Sequence, residues 1–493
     1  MTRAAGVLLH PTSLPGRYGI GDFGDELIAF LDWARSAGLR IWQILPLNPP
    51  GYGNSPYGCH SSYAGNALLI SPQHLLKDGL LPEHAADEAP TFADDSVDFD
   101  RVAPFKWNLL RQAWRHFNAR RRADHRHELE RFEADNLWLE DWALYASLKE
   151  QSGGVPWSEW PPDLAFREPS AVAKAKRELD EEIRFQKFIQ LLFFKQWATV
   201  RQAAVARGLQ IMGDVPIYVA CDSADVWANR DLFQLDERGQ PTVVAGVPPD
   251  YFSATGQRWG NPLYRWDVLR ETKYRWWVSR FRAARRFADI VRVDHFRGFA
   301  AYWEIPAREE TAIHGRWMPG PVKALFDAIR EALGDFPLVA EDLGFITPEV
   351  HELRRAIDVP GMRILQFAFG KVNSPHLPHC YEQKTVVYTG THDNDTARGW
   401  FANAPESERD LAEHYLGING AGEIEWALIR AAFTSVAQTA IVPVQDILGL
   451  GSEARMNHPG NGDENWSWRY IPGALTADHA ERLRRLAEIT GRI

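Results

Sequence analysis

The chain has 493 residues, 45% of them hydrophobic, and a formal net charge of −10 from 55 basic and 65 acidic side chains. This acidic balance argues against a nucleic-acid partner, because phosphate backbones are bound by clustered Lys and Arg side chains. Three widely spaced cysteines (Cys59, Cys221 and Cys380) form neither a disulfide framework nor a metal-binding pattern. No apolar run is long enough for a signal peptide or a membrane span, so we expect a cytoplasmic protein without a membrane partner.

Short apolar runs that end in polar residues recur along the chain, with helical segments between them. The runs are 6–10, 40–47, 209–214, 289–295, 336–342, 362–369, 385–393 and 440–446. Continuous apolar strands joined by long crossovers predict a parallel sheet that is buried on both faces. Eight of them predict a closed (β/α)₈ barrel, whose active site lies at the carboxyl ends of the strands.

The connections between these runs are uneven, which predicts insertions into one catalytic barrel spanning residues 1–493. A mostly helical subdomain is expected over about 51–208, with helices within 104–150 and 171–207. A second insertion, over about 220–288, carries a long aromatic loop. The chain closes with a helix over 478–489, and the segment before it is too short for a C-terminal β-sandwich domain.

The glycine-rich segment Gly19–Gly24 matches the dinucleotide fingerprint, so a cofactor-dependent dehydrogenase must be considered. That fingerprint requires a tight turn directly after a strand and an acidic residue about 20 positions later. Here two prolines separate the strand from the glycines, and no acid occurs between Asp32 and Asp78. The segment is better explained as a turn with Asp22 near a helix N-terminus, and we expect no organic cofactor.

A metal site is also not expected. The His125–His127 pair lies two residues apart in a charged helix, where the two side chains point in different directions. Neither a His-Glu-x-x-His nor a Cys-x-x-Cys motif occurs in the chain.

Three acids at strand ends carry the strongest chemical signal. Asp294 ends the fourth run, and Arg292 two residues earlier shares its face of the strand and favours the carboxylate form. Glu341 follows an apolar run, a setting that raises a carboxyl pKa and suits a proton donor. Asp393 follows His392 after the seventh run. Enzymes that cleave a glycosidic bond use two carboxyl groups in different environments. Aromatic residues make up 12% of the chain, and their flat faces would suit the binding of sugar rings.

Several segments resemble the 4-α-glucanotransferases, also called amylomaltases or disproportionating enzymes, of the α-amylase superfamily. The matching segments are GYGNSPYG (51–58), MGDVPIYVA (212–220), DSADVWAN (222–229), PPDYFSATGQRWGNPLYRW (248–266), RVDHFRGF (292–299), AEDLG (340–344), GMRILQFAF (361–369) and THDNDT (391–396). The resemblance extends from HPTSLPG near the start to NHPGNGDENWSWR near the end. It implies a (β/α)₈ barrel with inserted helical subdomains and no C-terminal sandwich.

The resemblance also implies roles for individual residues. Asp294 would be the nucleophile, Glu341 the acid/base, and Asp393 a third carboxylate that holds sugar hydroxyls and favours a distorted ring. The further substrate-binding residues that it implies are Tyr57, Asp214, Asp250, Tyr251, Phe252, Gln257, Trp259, Arg292, His392 and Asn465.

The reaction implied is a retaining transfer of an α-1,4-glucan segment to the 4-hydroxyl of an acceptor glucose or glucan. Donors would be maltooligosaccharides, starch or glycogen, and no cofactor would take part. An α-glucan hydrolase shares the same covalent intermediate, so the acids alone favour neither enzyme. A carbohydrate-binding protein without activity is a third hypothesis, but such a protein is expected to lose at least one of the acids.

Overall fold

The computed structural model describes residues 3–86, 89–119, 123–249, 253–420, 422–460 and 465–493. The strands, in chain order, are β1 (Ala4–Leu8), β2 (Ile41–Gln43), β3 (Gln210–Pro216), β4 (Val243–Val247), β5 (Gln257–Pro262), β6 (Ile290–Asp294), β7 (Ala301–Pro306), β8 (Arg316–Pro319), β9 (Leu338–Ala340), β10 (Gly361–Ile364), β11 (Thr385–Tyr388) and β12 (Thr439–Pro443).

The α-helices, in chain order, are α1 (Asp25–Ser36), α2 (Pro72–Lys77), α3 (Phe99–Ala119), α4 (Ala123–Asp135), α5 (Trp138–Gln151), α6 (Pro162–Ala165), α7 (Pro169–Glu178), α8 (Asp180–Ala206), α9 (Ala224–Ala228), α10 (Trp266–Glu271), α11 (Arg275–Phe287), α12 (Val322–Leu333), α13 (Pro348–Ala356), α14 (Ala397–Asn403), α15 (Glu406–Leu416), α16 (Ile424–Thr434), α17 (Val444–Ile447) and α18 (Ala477–Ile489).

The main sheet is an eight-stranded barrel of parallel strands in the order β10-β11-β12-β1-β2-β3-β6-β9. Its two end strands meet where the Ala340 N–H donates to the Pro360 carbonyl at 2.9 Å. Each of the eight apolar runs overlaps one of these strands, so the predicted (β/α)₈ barrel is confirmed. The runs are continuously apolar because strands such as β1 and β12 are buried along their whole length.

Helix α1 explains the glycine-rich segment. Gly19 has a φ of 76°, and Asp22 accepts a hydrogen bond from the Gly24 N–H at 3.0 Å through its Oδ1 atom, just before the helix begins. Asp22 also pairs with the buried Lys106 amine at 3.0 Å. The segment is therefore a turn that starts a helix, and a closed barrel replaces the open sheet that a dinucleotide fold requires.

The long connection between β2 and β3 is mostly helical, as the sequence predicts. It contains α2 to α8, and the predicted stretch 104–150 is divided among α3, α4 and α5. Trp197 of α8 contacts Trp42 of β2 with ring centroids 6.3 Å apart, so this helix packs directly on the barrel. The division into inserted subdomains at 51–208 and 220–288 stays a prediction.

A second sheet, which the sequence analysis did not predict, lies in the later connections. It is antiparallel, has four strands in the order β5-β4-β7-β8, and is built from strands within residues 243–319. The C-terminal helix α18 agrees with the prediction over 478–489. In the part of the chain that the structure describes, no helix is long and apolar enough to cross a membrane.

Candidate active site

The residues that the sequence analysis singled out converge at the carboxyl ends of the barrel strands. They are Asp214 on β3, Arg292 and Asp294 on β6, Glu341 directly after β9, and His392 and Asp393 after β11. A cleft of about 540 Å³ opens at this end of the barrel. Parallel strands bring their carboxyl ends to one edge, which is why residues distant in sequence meet here.

Arg292 connects two of the acids. Its Nη1 atom donates to Oδ1 of Asp294 at 2.9 Å and to Oδ2 of Asp214, while its Nε atom points to Sδ of Met362 at 3.4 Å. The Arg292 and Asp214 side chains are almost wholly buried, whereas that of Asp294 is 27% exposed. Burial raises the pKa of Asp214, and the Arg292 guanidinium opposes that rise. Arg292 and Asp214 therefore form a buried ion pair, and Arg292 also holds the partly accessible carboxylate of Asp294.

Glu341 lies in a different environment from Asp294. Its two carboxyl oxygens accept hydrogen bonds from the backbone N–H groups of His295, at 2.8 Å, and Leu343, at 2.9 Å. Burial raises the pKa of Glu341, Arg292 opposes the rise, and Asp294 adds to it. A carboxyl group with a raised pKa keeps its proton to higher pH, so this group suits proton donation.

A second group of side chains, Tyr57, His392 and Asp393, forms another part of the cleft wall. The Tyr57 and His392 rings stack 5.1 Å apart at an angle of 13°, and the Tyr57 hydroxyl donates to Asp214 at 2.8 Å. Burial lowers the pKa of His392, although Asp393 opposes this. Asp393 is 45% exposed, lies 3.4 Å from His392 and accepts a hydrogen bond from Asn457 Nδ2 at 2.6 Å. This wall therefore presents a flat aromatic surface beside a solvent-accessible carboxylate.

Trp259 and Gln257 belong to β5 of the antiparallel sheet, and Trp259 lies on the cleft wall. The Trp259 indole is 38% exposed, and its ring meets that of His295 edge-on at 4.7 Å. The indole N–H donates to Gln257 Oε1 at 3.1 Å. Gln257 thus orients Trp259 and, among the described residues, is not part of the cleft wall.

The cleft brings together most of the predicted substrate-binding residues. Those on its wall are Tyr57, Trp259, Asp294, His392, Asp393 and Asn465. Asp214, Arg292 and Glu341 lie beneath this surface and are joined to it by hydrogen bonds. Asp250, Tyr251 and Phe252 lie outside the described residues.

Several wall residues were missed by the sequence analysis. They are Tyr218, His295, Asn457, His458 and Trp466. All of them occur inside segments that carry the family resemblance, so the segments pointed to the region without identifying the side chains. Asn457 in particular touches Asp393 across 64 positions of sequence, a contact that no local pattern reveals.

The chemistry offered by this cleft is that of paired carboxyl groups. One carboxylate is held by a guanidinium, another has a raised pKa, and an aromatic surface stands beside them. Among the described residues, no group of three or more His, Cys, Asp or Glu side chains is arranged to hold a metal ion.

Comparisons with known proteins agree with this geometry. Residues 9–474 match the model of the 4-α-glucanotransferase family. The chain is 49% identical to the 4-α-glucanotransferase of Thermus thermophilus over 100% of both chains, and 48% identical to that of Synechocystis sp. over 99% of this chain and 98% of that protein. Its fold matches the amylomaltase of Streptococcus agalactiae with a TM-score of 0.97 at 37% identity, covering 99% of each chain. The chain therefore belongs to the 4-α-glucanotransferase family.

Proposed function

We propose that this protein transfers an α-1,4-glucan segment from a maltooligosaccharide, starch or glycogen chain to the 4-hydroxyl of a glucose or glucan acceptor, with retention of configuration. The observation that carries the proposal is that two carboxyl groups beside one cleft have different environments. Asp294 is paired with Arg292, whereas Glu341 has a raised pKa. The related amylomaltase of Streptococcus agalactiae was solved in complex with acarbose, which supports binding of that compound by this cleft.

In the first step, the Asp294 carboxylate attacks the anomeric carbon of the donor while Glu341 gives its proton to the departing 4-oxygen. The products are a shortened glucan with a free 4-hydroxyl and a glucosyl group esterified to Asp294. The raised pKa of Glu341 favours the protonated form that this step needs.

In the second step, the ionised Glu341 takes the proton of an acceptor 4-hydroxyl, whose oxygen displaces Asp294 from the anomeric carbon. Two inversions restore the original configuration. The acids then return to their starting protonation states, so the cycle needs no cofactor.

The surrounding residues would bind the donor. Stacking of a sugar ring on Tyr57 is supported by the flat surface that it forms with His392, and the accessible carboxylate of Asp393 suits sugar hydroxyl donors. Asn465, on the cleft wall, would contact the bound glucan.

Water competes with the sugar acceptor for the same intermediate, so the ratio of transfer to hydrolysis tests the proposal. Water is present at about 55 M, and effective molarities of about 10⁵ M for oriented groups allow a positioned acceptor to win. With maltotriose, we expect glucose and a ladder of longer maltooligosaccharides, while total reducing ends stay nearly constant. Rising reducing ends without products longer than maltotriose would instead make the protein an α-glucan hydrolase.

A further inference from the structure

The carboxylate of Asp393 needs a fixed orientation, because the proposed reaction gives it the task of holding sugar hydroxyl groups. Its side chain is 45% exposed and projects from a turn after β11, outside the regular structure of the barrel. The last torsion of an aspartate side chain has broad preferences, so an accessible carboxylate rotates unless neighbouring groups hold it. The groups that hold Asp393 therefore bear directly on the reaction.

Two polar side chains contact the carboxylate of Asp393 in the described part of the chain, one at each oxygen atom. Asn457 Nδ2 donates to Oδ1 at 2.6 Å, whereas Nε2 of His392 lies 3.4 Å from Oδ2. A carboxylate only accepts hydrogen bonds, so the Asn457 amide must present its N–H groups here. The contact with His392 is longer than an ordinary hydrogen bond. Asn457 is therefore the principal polar anchor of this carboxylate.

One guanidinium group ties together the main chains on both sides of this contact. Arg455 Nη2 donates to the Asp393 carbonyl at 2.7 Å, and its Nε atom donates to the Asn457 carbonyl at 2.8 Å. Asp393 follows β11 and Asn457 follows β12, and these strands are neighbours in the barrel. Met456, between the two segment residues, is buried. The protein itself therefore sets the separation between the amide and the carboxylate.

We propose that Asn457 is a positioning residue, which holds the Asp393 carboxylate toward the bound donor glucan, with Arg455 as the anchor of its segment. Asn457 acts through Asp393 and does not need to touch the sugar. The proposal rests on the sugar-binding role that the proposed function gives to Asp393. It extends that role to a residue that the two reaction steps leave without a task.

Asn457 also lines the cleft, so direct contact with the substrate is the competing explanation for any loss of activity. A double-mutant cycle with Asp393 separates the two explanations. Initial rates on maltotriose are measured for the full-length wild type, Asn457→Ala, Asp393→Ala and the double variant. Asn419→Ala, at an exposed loop position, is the matched control.

We expect Asn457→Ala to lower kcat at least about tenfold with a smaller change in KM, because a distorted ring is held mainly in the transition state. In the Asp393→Ala background, the same substitution should lower kcat by less than about twofold, since no carboxylate remains to be held. Asn419→Ala should match the wild type. Losses of similar size in both backgrounds overturn the proposal, because Asn457 would then act on the substrate or on folding.

The Asp393→Ala variant distinguishes failure of this proposal from failure of the proposed function. If Asp393→Ala keeps nearly the wild-type kcat, the sugar-binding role of Asp393 is wrong, and the positioning role of Asn457 is wrong with it. If Asp393→Ala is strongly impaired while Asn457→Ala is not, only the positioning role is overturned.

Asn457→Asp keeps the size of the side chain and gives a readout that unfolding cannot mimic. Two carboxyl groups at hydrogen-bonding distance share one proton. While that proton is present, the substituted group still donates to Asp393, and once the proton is lost the two like charges repel. The other charged or titratable side chains that contact Asp393 are His392 and Arg455, which are the same in both proteins.

The ratio of kcat in Asn457→Asp to kcat in the wild type should therefore be several-fold higher near about pH 5 than near about pH 7. The same ratio should not change with pH for Asn457→Ala or for Asn419→Asp. A ratio for Asn457→Asp that is constant over this range overturns the proposal.

Discussion

Arg292 is the residue on which the arrangement of the acids depends. One of its nitrogen atoms donates to both Asp214 and Asp294, while its Nε atom points to a sulfur atom that fixes the plane of the guanidinium. The pairing of Arg292 with Asp294 was predictable from sequence, since residues two apart on a strand share a face. The contact with Met362 was not, because it joins residues 70 positions apart.

Arg292→Lys keeps the positive charge but should reduce kcat by about 10² or more. The ammonium lacks the planar Nε anchor, so Asp294 loses its fixed position, and small displacements of a reacting group cost this much. The measurement is the initial rate on maltotriose, with Arg485→Lys at an exposed site of α18 as control. A rate close to that of the wild type would leave Arg292 with a packing role only.

Glu341→Gln should damage turnover of maltooligosaccharides far more than turnover of an α-glucosyl fluoride, whose leaving group needs no proton. The raised pKa gives the sign of the pH dependence in the wild type. Because the first step needs protonated Glu341, the maltotriose rate should fall as pH rises through that raised pKa, above the ordinary range of a glutamate. With α-glucosyl fluoride as donor, the rate of the first step should not fall in this way as pH rises. Equal losses on both donors would remove Glu341 from the acid/base role.

At the scale of elements, the sequence predicted the barrel strands but not the antiparallel sheet. The barrel strands are buried over most of their length and lie in apolar runs, as β11 does. The outer strands of the second sheet, β5 (QRWGNP) and β8 (RWMP), include Gly, Pro and charged residues and are largely accessible, whereas the inner strands β4 and β7 are mostly buried. Because the outer strands show neither a long apolar run nor alternation, their pairing depends on tertiary contacts and no local pattern reveals it.

This second sheet holds Trp259 at the cleft, and the position of the indole suggests that it screens the intermediate from water. Trp259→Ala should raise the ratio of hydrolysis to transfer several-fold while lowering total bond cleavage less, because solvent exclusion and acceptor stacking are both weakened. Reducing-end release and product ladders from maltotriose give the two rates. Trp33→Ala on α1, which does not line the cleft, serves as control. An unchanged ratio would remove Trp259 from acceptor selection.

At the scale of the whole molecule, Arg492 joins the last residues to the first strand. Its fully buried guanidinium donates to backbone carbonyls at Ala4, Phe433 and Gln438, and to others near the end of α16. The charge is thereby satisfied by main-chain oxygens of segments that are far apart in sequence. The C-terminal helix was predictable from its periodicity, whereas this tertiary contact was not.

Arg492→Ala should lower the free energy of unfolding by roughly 3 to 5 kcal/mol, because it removes several buried hydrogen bonds of a charged group at once. Urea denaturation followed by tryptophan fluorescence measures the change. Arg485→Ala, at an exposed position on α18, should change stability by less than about 0.5 kcal/mol. Similar stabilities for the two variants would show that the contact is not needed to hold the barrel closed.

The central claim is that Asp294 forms a covalent bond to the transferred sugar, and trapping that bond tests it most directly. Glu341→Gln, incubated with α-glucosyl fluoride, should form the intermediate and break it down slowly, since the acceptor lacks its base. Proteolysis and mass spectrometry should then find one added glucosyl unit on the peptide that contains Asp294, and none in the Asp294→Asn, Glu341→Gln double variant. A glucosyl unit on a different peptide, or fluoride release without any adduct, would contradict the account.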